Sequence, residues 1–80
     1  MPAWAVIHGF RSPGEYERFE RWLAETLDAG LAEEVPVGER YGSPYFRERW
    51  LRSVETGKVW RLVAPEAPFR GVFLPVEEAI

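Results

Sequence analysis

Residues 45–63 read YFRERWLRSVETGKVWRLV, and the way this stretch divides decides the fold. Residues 45–54 and 58–63 are two runs rich in aromatic and β-branched side chains, and Glu55-Thr56-Gly57 between them has the grammar of a three-residue hairpin loop with Gly57 in the left-handed position of a bulge. That loop length predicts a register in which Trp50 faces Leu62 and Arg52 faces Trp60 on one side of the ribbon. Arg49, Leu51, Arg61 and Val63 then share the other side.

Working outward, residues 64–68 (APEAP) form a proline-punctuated connector. Residues 70–76 predict a last strand whose Pro75 marks either a sheet edge or the point where pairing stops. On the N-terminal side, residues 38–44 hold two Gly, a Pro and a Ser around Tyr41 and read as a turn or loop. Pro36 allows residues 31–37 (LAEEVPV) to be an edge strand at most, with a loop as the alternative.

Ser12-Pro13-Gly14-Glu15 opens a helix, with Ser12 as N-cap, Pro13 at the first helical position and Glu15 placed to close a capping box. The stripe Tyr16, Phe19, Leu23 and Leu27, with Trp22 beside it, carries that helix to about Ala29, where Gly30 is a natural terminator. Residues 3–10 (AWAVIHGF) predict a strand with Trp4, Val6, His8 and Phe10 on one face and Ala3, Ala5 and Ile7 on the other. Apolarity on both faces argues that it is central. The pattern as a whole specifies a single domain over residues 1–80. Its class is α+β: one helix packed on a mainly antiparallel sheet of about four strands, in the order β-α-(β)-β-β-β, as a two-layer sandwich.

A chain of 80 residues has room for one core, and a core of that size buries only roughly 60 to 65% of the unfolded surface. Four Trp, five Phe and three Tyr compensate, either by filling that core or by offering area to a partner. With no Cys, disulfides, thiolate metal sites and a cysteine nucleophile are excluded, and the composition leans towards the reducing cytoplasm. No stretch has the length and apolarity of a leader or a membrane span. Asn and Gln are absent, as in heat-adapted proteins.

Net charge is −3, but residues 1–39 carry −5, residues 40–70 carry +4 and the last ten carry −2. Such a split marks either an anion-binding face or an acidic helix lying near a basic sheet of the same fold. The basic part interleaves Arg40, Arg47, Arg49, Arg52, Arg61 and Arg70 with Tyr41, Tyr45, Phe46, Trp50 and Trp60. Guanidinium groups grip phosphate and rings stack on bases, so single-stranded nucleic acid or another polyanion is one reading, with Arg47, Arg49, Arg52, Arg61, Tyr41 and Tyr45 as its contacts. Against it stands a pI near 5.1, far below that of nucleic-acid modules.

His8, the only histidine, is expected as a buried or half-buried structural imidazole; an enzyme would need it to meet a carboxylate such as Glu39 or Glu66 through folding. Ser12 reads as a cap, Ser43 as a loop residue and Ser53 as a solvent-facing strand residue. The carboxylate pairs Glu33-Glu34, Glu77-Glu78 and Glu17 with Glu20 read as solvated faces. No cofactor and no metal site is expected. The leading expectation is a non-enzymatic interaction module, self-associating as a homodimer or serving as a small protein that binds a protein partner, because aromatics are many, one strand is an edge, and no catalytic set coheres.

Overall fold

The computed structural model describes residues 4–38 and 46–76. In chain order these form α1 (Pro13–Asp28), β1 (Ala32–Val35), β2 (Glu48–Ser53), β3 (Val59–Val63) and β4 (Val72–Pro75). The strands make one antiparallel meander in the order β1-β2-β3-β4, with α1 across one face, so the α+β class is as the sequence implies.

α1 begins as its first residues dictate. The Ser12 side chain accepts the Glu15 N–H at 3.1 Å, and Pro13 occupies the first turn. The Glu15 carboxylate reaches back one residue further than a capping box requires, accepting the Arg11 N–H. At the far end the Leu31 N–H bonds the Thr26 carbonyl and the Gly30 N–H bonds the Leu27 carbonyl, the paired bonds of a Schellman stop. That stop turns the chain straight into β1, which ends before Pro36, so the edge-strand alternative for residues 31–37 is the one adopted.

The hairpin differs from expectation by one residue. Lys58 pairs with Ser53, whose carbonyl also accepts the Gly57 N–H at 2.7 Å, so the loop holds four residues, Val54 to Gly57. Gly57 does adopt the left-handed conformation (φ 77°). The extra loop residue shifts every partner: Trp50 lies opposite Arg61 and Leu51 opposite Trp60, where Trp50 opposite Leu62 and Arg52 opposite Trp60 were expected. Because strand side chains alternate, a one-residue slip exchanges faces. Leu51, Trp60 and Leu62 turn towards α1, while Trp50, Arg52 and Arg61 turn away. Ser53 moves inward with Leu51 and is 1% exposed, in place of the solvent-facing position expected of it.

Residues 3–10 do not form the central strand that their apolarity suggested. The described part of this segment lies beyond β4, at the sheet edge. It pairs only through Ile7 and Phe73, which exchange both backbone bonds, and through the Phe10 N–H to the Arg70 carbonyl. Gly71 interrupts the ladder here: its φ is +83°, and a Cβ on it would lie 2.8 Å from the Val63 carbonyl oxygen. Inward-facing residues therefore recur every third position (Trp4, Ile7, Phe10), and Val6 and His8 are exposed.

The core lies between α1 and the sheet and is largely aromatic. Phe73 stacks on Trp60 at 4.8 Å and meets Phe19 edge-on at 4.8 Å, with Leu23, Leu51, Leu62 and Phe10 completing the buried set. Trp4 and Trp22 meet edge-on at 5.5 Å and pack against this cluster from outside. Trp60 is 6% exposed, so Trp60→Ala is expected to cost about 3 to 5 kcal/mol, whereas Val54→Ala, exposed on the opposite face, is expected to cost under about 0.5 kcal/mol. Denaturant titration of both variants checks the ranking, and equal losses would contradict the assignment of faces.

Candidate functional site

Strand alternation divides the arginines of the basic segment between two faces. Arg49 lies on the helix side of β2, at the edge of the core, and grips Glu34 of β1 with two bonds of 2.8 Å. Arg52, on the opposite face, pairs with Glu33. Arg61 lies beside Trp50 on that face, its guanidinium 5.6 Å from the ring centroid and 3.5 Å from the Glu48 carboxylate. Glu48 is buried and accepts the Trp50 indole N–H at 2.7 Å. Acids of the N-terminal half thus meet bases of the middle segment directly, which accounts for part of the charge split within the fold.

Arg47 stands apart. It is exposed just before β2 and makes no ion pair among the described residues. Arg40, Tyr41 and Tyr45, with Glu39, Ser43 and the Glu77-Glu78 pair, lie outside the described residues. The structure therefore does not bring Arg47, Arg49, Arg52 and Arg61 onto one surface.

Concave regions among the described residues include a recess of about 110 Å³ between α1 and β2, bordered by Tyr16, Glu20, Arg47, Arg49 and Leu62, and two larger ones. One lies on the helix-free face of the sheet, a groove of about 610 Å³ bordered by Val35, Pro36, Trp50, Val59 and Val76 and by the hairpin loop. Leu31 and Val54 belong to the same face, since the Val54 N–H bonds the Leu31 carbonyl in continuation of the β1–β2 register, and they are 59% and 45% exposed.

The second is a cleft of about 560 Å³ at the end of the molecule where α1, β2 and β4 all begin. Phe10, Tyr16 and Phe69 give it aromatic walls, and Arg11, Arg47 and Arg70 reach it from three separate segments. Tyr16 meets Phe10 edge-on at 5.0 Å, and Phe69 is backed by Phe46 in a stack of 4.5 Å. Burial pushes the Tyr16 phenol up to about 12, helped by the charge of Glu20 and a hydrogen bond to it, so the phenol stays neutral and donates. Arg11, Tyr16 and Phe69 were not among the contacts the sequence suggested, nor was Arg70 among the favoured set. The usable signal was that Arg11, Arg47 and Arg70 each precede the start of an element, and an antiparallel meander gathers such positions at one end.

His8 is exposed and borders neither of the two larger regions, which corrects the expectation of a buried or half-buried imidazole. Glu66 is exposed too, its backbone engaged with Phe69 across a tight turn. Among the described residues no group of His, Asp and Glu is placed to hold a metal ion, and no helix is long and apolar enough to cross a membrane.

The Glu34–Arg49 pair sets a pH dependence. The Arg49 guanidinium, chiefly through its hydrogen bonds, holds the Glu34 carboxyl below its ordinary value of 4.5. A carboxyl depressed in the folded state stabilises above its unfolded pKa, and that contribution disappears as pH falls through the folded value. Half-exposure and screening limit the effect to under about 1 kcal/mol. The stability difference between the wild type and Glu34→Gln should be present at neutral pH and shrink below pH 4.5, as denaturant titration across pH will read; a gap that widens in acid would contradict this assignment.

No protein-family model, curated protein or solved structure matches this chain.

Proposed function

We propose that this chain is a non-enzymatic protein-interaction module that associates with a second copy of itself through the helix-free face of its sheet. The observation that carries this reading is the apolar content of that face. Leu31 and Val54 stand exposed on it, and Val35, Trp50, Val59, Leu74 and Val76 are half-buried around them. A sheet whose helix covers only one side leaves such residues in water unless something else is laid over them.

The charges of the face suit a second copy better than an unrelated partner. Towards its β1 edge the exposed charges are one carboxylate and one guanidinium side by side, Glu33 and Arg52, so a two-fold copy can present each to its opposite. The end of this face at Glu48, Val63 and Val72 is already buried within the chain, so the self-interface is the open part around Leu31, Val35, Val54, Val59 and Val76. The β1 edge contributes less, because Glu33, Glu34 and the following Pro36 are the features that discourage strand addition.

Light scattering across a micromolar-to-millimolar series should give the mass of a dimer, largely insensitive to salt. The double variant Leu31→Glu/Val54→Glu, at exposed positions, should be monomeric with its fold intact by circular dichroism. A wild-type monomer throughout the series would overturn the reading, as would a dimer that the double variant leaves untouched.

A further inference from the structure

Arg11, Arg47 and Arg70 are the arginines of the cleft, and unlike Arg49, Arg52 and Arg61 they form no ion pair among the described residues. Three guanidinium groups that share one concavity repel one another unless an anion lies between them. Their segments are held by backbone bonds close to the cleft: the Phe10 N–H to the Arg70 carbonyl at 2.9 Å, and the Ala64 N–H to the Arg47 carbonyl at 2.9 Å. The supports of the three side chains are thus parts of one framework.

The cleft has the size of a small-molecule site, about 560 Å³, and combines aromatic walls with a few polar groups. From these features we infer that the cleft binds an organic carboxylate carried on an aromatic or apolar body, the carboxylate held by Arg47 and Arg70 and the body laid against Tyr16 and Phe69. The charge count selects the anion. Glu17 and Glu20 also line the cleft, so three positive charges stand against two negative ones and the surplus is a single charge. One carboxylate balances it, whereas a phosphate dianion would overshoot and would face both glutamates. A guanidinium fork matches a carboxylate bidentately, and the neutral Tyr16 phenol, committed to Glu20, adds ring surface without adding charge. The same group occurs on a free aryl or alkyl acid and at the end of a peptide chain.

The site is distinct from the sheet face on which self-association rests, so either can fail alone. The test is a titration of N-acetylphenylalanine into isotope-labelled protein, followed through the backbone amides of Ser12, Tyr16, Arg47, Phe69 and Arg70. Parallel titrations use its carboxamide, phenyl phosphate and a tripeptide ending in phenylalanine. Saturable shifts confined to the cleft are expected for the free acid, with affinity lower by about tenfold for the carboxamide and about fivefold for Arg47→Gln or Arg70→Gln. Arg21→Gln, on α1 but outside the cleft, should leave affinity unchanged. Tighter binding of the tripeptide would identify a chain terminus as the source of the carboxylate, and tighter binding of the free acid a metabolite. Absence of saturable shifts, equal affinity for the carboxamide, or preference for phenyl phosphate would each overturn the inference.

Discussion

The pairing of Ser53 with Lys58 closes the four-residue turn of the hairpin, and every residue of the central strands takes its side of the sheet from it. With this register Leu51, Trp60 and Leu62 meet Phe73 and the stripe of α1, and a continuous aromatic core forms. With the neighbouring register, keeping Trp60 and Leu62 against α1 would send Trp50 and Arg52 under the helix in place of Leu51. Burying guanidinium groups away from partners costs several kcal/mol each, more than one hairpin hydrogen bond returns. Turn and core therefore select the same register for different reasons.

The remaining surfaces follow from that choice. Arg49 is left at the rim of the core, where Glu34 of the adjoining strand grips it, and Arg52 and Arg61 pass to the helix-free face with Glu33 and Glu48. Trp50 goes with them, packed beside Arg61 and hydrogen-bonded to buried Glu48, which gives this face a partly ordered polar centre amid apolar neighbours. A meander also gathers the starts of alternate strands at one end. Arg47 and Arg70 arrive there together, beside the residue that precedes the cap of α1.

Much of the fold was legible in the sequence. Ser12 and Pro13 start the helix where capping chemistry says they should, Phe19 and Leu23 face inward at helical spacing, and Gly57 takes the left-handed position of the hairpin turn. What could not be read were features set by tertiary packing. Loops of three and four residues both suit Val54-Glu55-Thr56-Gly57, so the register was ambiguous by one residue, and with it the side taken by Trp50 and Ser53. Residues 3–10 have strand-like composition, but the break at Gly71 leaves them a single bridge at an edge, with Val6 and His8 turned to water. The cleft escaped notice because its residues are scattered singly along the chain, and only the topology brings them together.

The hairpin register sets both faces of the sheet, and cross-strand contacts between α-protons measure it. In an antiparallel pair the non-hydrogen-bonded partners bring their Cα atoms closest, so this register expects strong proton–proton Overhauser effects between Trp50 and Arg61 and between Arg52 and Val59. Contacts joining Trp50 to Leu62 or Arg52 to Trp60 in their place would exchange the two faces of the sheet, and would contradict both the composition of the core and the apolar surface opposite it.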